Sequence, residues 1–210
     1  RAAGFNAKRL RQTGIDVVLL NQAGFSSDEL VSAGCSAKEL RGIGFTAEQV
    51  EAMAFTLAEL RAGGYSVLEL RGANFTAQEL KASGYSYAEL KEGEYGANEL
   101  KSLGASVKEL KSAGFNAPEL RSIGFAAAQL KGVGFSPKLL RQAGYSAKDL
   151  ELAGVTAAQL RDAGFSAREI KDAGQRASVV FSIEELYEEG FTPKELKDEG
   201  FLLKDLKDVL

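Results

Sequence analysis

Glutamate recurs every ten residues through the middle of this chain, at Glu59, Glu69, Glu79, Glu89, Glu99, Glu109 and Glu119. Carboxylates at a fixed spacing could pair for acid–base work or line up as a calcium ladder. A second column carries the opposite charge: Arg61, Arg71, Lys81, Lys91, Lys101, Lys111, Arg121, Lys131 and Arg141. Stacked, those cations could hold phosphate or an acidic protein face. The rest of the composition argues against chemistry. Histidine is absent, which removes the commonest general base and the commonest metal ligand. Calcium sites need several oxygens converging in one loop, and no D-x-D-x-D-G run occurs. Cys35 is the single cysteine; it stands in a column of aromatic residues and reads as a buried, inert thiol.

The elements that carry these columns explain them without a ligand. In Ser26-Ser27-Asp28-Glu29 the serine is a strong N-cap and the glutamate falls three residues later. That is a capping box, in which side chain and backbone satisfy each other reciprocally. It recurs as Ser36/Glu39, Thr56/Glu59, Ser66/Glu69, Thr76/Glu79, Ser86/Glu89, Ser106/Glu109, Ser166/Glu169, Ser182/Glu185 and Thr192/Glu195. Pro137 and Pro193 follow caps directly, where proline is tolerated. The basic column sits late in each helix and complements its own macrodipole.

Glycine then ends each helix, at Gly24, Gly34, Gly44, Gly64 and onward through Gly164, with Asn74 in that column once. Glycine adopts the left-handed stop conformation cheaply, and asparagine is the next best. Ala54 and Glu94 occupy the same column, so those corners are expected to be strained or reshaped. The residue after the glycine is usually Phe or Tyr. It is placed to touch the leucine behind it and to staple forward onto the next helix, as Phe45 would with Leu40 and Val50. Ala37, Leu40 and Ile43, like Ala127, Leu130 and Val133, form the inward face. Helices of about seven residues cannot survive alone. The sequence therefore predicts an all-α solenoid of about twenty such helices, joined by Gly-Phe corners, with about three or four helices per superhelical turn. An elongated rod is the expected shape.

This A-G-F-[ST]-A-x-E-L-[KR] unit resembles the tandem decapeptide repeat proteins. The resemblance covers residues 1–174, and 181–206 in a shifted frame; it implies a short-helix solenoid and no activity.

Two breaks divide the pattern. Gly174 and Gly190 lie sixteen apart, so Gln175-Arg176-Ala177-Ser178-Val179-Val180 is an insert. It lacks a cap and a glycine stop, and reads as a loop or a locally lengthened helix. The expected organisation is an array over 1–174, an irregular insert over 175–180, and frame-shifted repeats over 181–210 that act as an acidic cap. The alternative for that acidic end is a docking surface for a basic partner. Arg176-Ala177-Ser178-Val179 also has the form of a minimal basophilic kinase site. The second break runs from Tyr85 to Gly96: Gly93 takes over the stop, Glu94 sits in its column and Gly96 replaces the cap. It reads as a drifted repeat, or as an exposed patch of Tyr85, Tyr87 and Tyr95. Those three tyrosines and Arg176 are the candidate partner-binding residues.

A formal net charge of -3 gives no basic footprint for nucleic acid or anionic lipid. No apolar run approaches the roughly 18 residues that span a bilayer. A lone cysteine favours a reducing, cytoplasmic setting. The frame opens part-way through a unit at Arg1, as a piece of a longer array would. Nothing requires a metal, a cofactor or a small-molecule substrate. The leading reading is a noncatalytic scaffold or rod for a protein partner, with specificity at exposed columns such as Lys38, Glu48, Gln78, Asn98, Lys108 and Lys148. The alternatives are a stalk or filament segment that self-associates end to end, and an accessory array of an enzyme whose catalytic domain lies outside this chain.

Overall fold

A computed structural model describes residues 6–53 and 55–206, with the main chain alone at 203 and 206. Ala54 and the end of the acidic segment, 207–210, lie outside the described residues. Among those described there is no strand, and twenty short α-helices run from Ala7–Gln12 to Leu203–Leu206. Most have six residues, close to the expected seven; Ala47–Glu51 has five. The chain divides into two packed units, Arg1–Ala105 and Ser106–Leu210, and the same rules build each as a helical solenoid.

Every expected capping box forms. At the first, the Glu29 N–H donates to Ser26 Oγ at 3.3 Å and the Ser26 N–H donates to Glu29 Oε2 at 2.7 Å. Thr46/Gln49, Asn116/Glu119, Ser146/Asp149 and Thr156/Gln159 complete the same box with other residue types. Gly96 has no side chain to offer, yet its N–H still donates to Glu99 at 2.9 Å. Pro137 and Pro193 open their helices.

The corners are Schellman motifs. After Ala37–Gly42, the Gly44 N–H donates to the Arg41 carbonyl at 2.9 Å and the Phe45 N–H to the Leu40 carbonyl at 3.0 Å. Gly44 has φ +95°, Gly144 φ +90° and Asn74 φ +67°. Glu94 keeps the corner as well, at φ +63°. The stop is therefore not transferred to Gly93, which has φ -79°. Gly93 is small for another reason: a Cβ on it would lie 2.9 Å from Val67 Cβ. Gly63 is likewise packed on the first turn of a helix two to three units earlier, with a built Cβ 3.0 Å from Ala37 Cβ.

The leucine column is the core: Leu40, Leu60, Leu90, Leu120, Leu130 and Leu160 have no exposed surface, each contributing about 1.5–3 kcal/mol. Ala37 and Ala127 are buried with them, whereas Ile43 and Val133 are half-buried. Packing between layers joins residues 20 to 28 apart, from Tyr65 and Phe45 to Arg61 and Glu89. Two to nearly three units thus separate one layer from the next, at or below the tight end of the expected range.

The insert is a single 3-10 turn, Ala177–Val179, rather than an extended helix. Ala177 is fully buried in a cluster with Ala167, Ile183, Leu186, Phe191 and Leu196. That cluster seats the frame-shifted repeats on the last regular ones.

Candidate functional site

The basic column does more than complement its own helix. Arg41 reaches the next layer, where its guanidinium lies 5.0 Å from the Tyr65 ring centre, donates to the Gly64 carbonyl and pairs with Glu69 at 3.2 Å. Arg61 repeats the arrangement on Tyr85, Gly84 and Glu89. Arg71 lies over Tyr95 and donates to the Glu94 carbonyl. Lys131 donates to the Ala153 and Gly154 carbonyls at 2.9 and 2.7 Å. The Schellman bonds use the carbonyls near each helix end but not those of the C-cap and stop residue, and a long cationic side chain one layer earlier donates to these. The dipole being complemented thus belongs to a later helix. Sequence spacing within one unit carries no sign of this; only the layer offset shows it.

The acidic column is occupied in the same way. Glu39 accepts from Ser36 and from Arg11, the latter at 2.6 Å. Partial burial pushes its carboxyl up, but the Arg11 and Ser36 bonds outweigh that and hold it at about 2. The backbone and hydroxyl bonds of Thr192, with Lys171 beside it, hold Glu195 at about 2. Glu59 and Glu79 are lowered chiefly by the backbone bonds from Thr56 and Thr76. These folded-state values lie below the ordinary 4.5. The stability they supply is complete above the unfolded value and is lost as pH falls through the folded one. Without histidine, the melting temperature should stay level from neutral pH down to about pH 5 and then fall steeply toward pH 2. Thermal melts followed by circular dichroism across that range check this. A step near pH 6.5 would contradict it.

Among the described residues, no group of three His, Cys, Asp or Glu side chains is placed to hold a metal. No helix among them is long and apolar enough to cross a membrane. Cys35 is buried in the aromatic column, and burial pushes its thiol up.

The tyrosines singled out from the sequence do not form an exposed patch. Tyr85 is 2% exposed and Tyr95 4%, because each ring lies beneath an arginine of the preceding layer. Tyr87 is half-buried, 4.2 Å below Lys81 Nζ, and its hydroxyl donates to the Leu103 carbonyl at 3.5 Å. Arg176 is exposed. Structure also assigns the tyrosine hydroxyls a role that the spacing did not reveal. Tyr65 donates to the Phe45 carbonyl at 2.9 Å, and Tyr95 and Tyr145 donate to Phe75 and Phe125, each twenty residues back. Gln175 makes the same bond to Val155 at 2.8 Å. Tyr85 is the exception: among the described residues its buried hydroxyl finds no hydrogen-bond partner. A cavity of about 210 Å³ adjoins it, lined by Arg61, Tyr65, Leu68 and Gly93 among others. Tyr65→Phe should cost about 0.5–1.5 kcal/mol, whereas Tyr85→Phe should be neutral or stabilising by up to about 1 kcal/mol. Urea unfolding of the two variants separates them, and equal losses would contradict the assignment.

The acidic end turns partly inward. The Ala167 N–H donates to Glu189 at 2.9 Å and the Ser178 N–H to Glu199 at 3.1 Å. Glu185 pairs with Arg161, and Glu195 with Arg168 and Lys171. Of the outward columns, Lys38, Glu48, Gln78, Asn98 and Lys108 are exposed. Lys148 is exposed too, but donates to the Ala173 carbonyl at 3.0 Å.

Comparison with curated proteins finds no match, and neither does comparison with solved structures. The family model described as the decapeptide repeat region matches residues 1–57, 34–107 and 104–177. Those stretches cover most of the chain and stop at the insert, where the frame shifts. With its capping boxes, left-handed corners and layer contacts all in register with that unit, the chain belongs to the decapeptide repeat family.

Proposed function

We propose that this chain is a noncatalytic repeat scaffold that binds a protein partner through its outward helix columns. One observation carries the reading. The side chains able to do chemistry are taken up inside the array, in capping boxes and layer contacts, while Lys38, Glu48, Gln78, Asn98 and Lys108 are exposed and differ from unit to unit. A regular frame with variable outward positions suits recognition of an extended partner. Tyr87 and Arg176, which retain exposed surface, would add to that face. On the same reading the frame-shifted repeats act as an acidic cap, which the exposed Glu184, Glu188, Glu189 and Asp198 support.

The test uses the immobilised full chain beside a variant carrying Lys38→Glu, Glu48→Lys and Lys108→Glu. These exposed substitutions should each shift stability by less than about 0.5 kcal/mol. A partner retained by the parent and lost by the variant supports the reading. Equal retention, or none, overturns it. Light scattering that grows with chain concentration would instead favour the end-to-end stalk or filament.

A further inference from the structure

We propose that Ser178 is a phosphorylation site that releases the frame-shifted repeats from the array. Two independent observations meet at this residue. The first is its setting in the sequence: Arg176 lies two positions before it and Val179 one after, both exposed, with Val179 at 71%. A basophilic serine kinase reads a cation and an aliphatic side chain at those positions, and here both lie at the 3-10 turn that interrupts the repeats. The second is what Ser178 holds. Its hydroxyl donates to the Glu199 carbonyl at 2.7 Å, and its N–H donates to Glu199 Oε2 at 3.1 Å. Glu199 is 6% exposed, the one buried charged residue among those described. Ser178 therefore clamps the corner that ends the helix Pro193–Asp198 by both its side chain and its backbone.

Phosphorylation would oppose both bonds. Ser178 Oγ forms a bond to the γ-phosphorus of ATP as the bond to the bridging oxygen breaks, ADP departs, and the hydroxyl proton passes to the catalytic carboxylate of the kinase. The serine loses its only side-chain donor. It gains a charge of about -1.5 to -2 beside a buried carboxylate, where repulsion is poorly screened. The exposed Arg176 attracts the new phosphate, but that attraction acts through water and is weaker. Ser178 is half-buried, so the kinase must take it while the turn is open. The modified residue then cannot close again.

The experiment incubates the full chain with a purified basophilic serine kinase and ATP, maps the phosphate by mass spectrometry, and follows amide hydrogen exchange. The expected result is phosphate on Ser178, absent from Ser178→Ala and strongly reduced in Arg176→Ala. Amide exchange over 178–202 should then quicken by roughly tenfold or more, while 107–162 stay unchanged. Ser178→Ala alone, which loses only the donor bond, should quicken the same segment by a few-fold at most. Failure to label Ser178 under conditions that label a free peptide of residues 173–182 overturns the site. Labelling with no change in exchange over 178–202 overturns the release.

Discussion

Phe165→Ala should cost roughly 3–5 kcal/mol, the usual range for truncating a buried aromatic. The ring is 4% exposed and lies under Arg141, whose guanidinium carbon is 5.0 Å from its centre. Truncation opens a cavity at a corner and also strands the arginine of the preceding layer. The corner bond from the Phe165 N–H to the Leu160 carbonyl, 3.0 Å, is a backbone bond and survives the change. Phe125 occupies the same column but is half-buried, so Phe125→Ala should cost distinctly less. Lys108→Ala, on an exposed column, should shift stability by under about 0.5 kcal/mol. Chemical denaturation of the three variants gives the order. Equal losses for Phe165 and Lys108 would mean that the inward and outward faces are wrongly assigned.

Gly144→Val should cost at least about 2 kcal/mol, and Gly144→Asn about half of that or less. The backbone there has φ +90°, which a β-branched residue reaches only under strain. A side chain at 144 also meets a neighbour, since its Cβ would lie 2.9 Å from the Arg121 guanidinium. Arg121 is flexible and can withdraw, but it then leaves the Tyr145 ring, 5.4 Å from its guanidinium carbon. Asn74 and Glu94 already hold left-handed corners at φ +67° and +63°, so a non-glycine residue is tolerated at a cost. A Gly144→Val protein as stable as its parent would refute the Schellman reading of the corners.

What the sequence makes legible here is local. Ser26 and Glu29 are three residues apart, and a capping box needs nothing else; the left-handed stop at Gly144 needs only its own backbone. Asn116, Gln49 and Asp149 serve the same boxes and follow from the same logic once other acceptors are admitted. The layer contacts are not local. Arg61 meets Glu89 because the superhelix brings them together, and no rule acting within ten residues fixes that offset. Glu94 and Gly93 show the consequence. Read along the chain, Gly93 looks like a displaced stop; read across layers, it is the space that Val67 fills. Tyr85 and Tyr95 likewise read as a surface patch until the arginines of the preceding layer cover them. Glu189 and Glu199 read as solvent-facing acid, although each accepts from an N–H more than twenty residues back.

The layer offset is the central claim, because the carbonyl-capping arginines, the tyrosine hydroxyl bonds and the glycine packing all depend on it. Nuclear Overhauser spectroscopy on the labelled full chain tests it most directly. A cross-peak is expected between the Ala37 methyl and the Gly63 α-protons, and another between the Val67 methyls and the Gly93 α-protons, pairs 26 residues apart. A spectrum with sequential and within-helix cross-peaks but neither of these would contradict the solenoid and leave only a string of short helices.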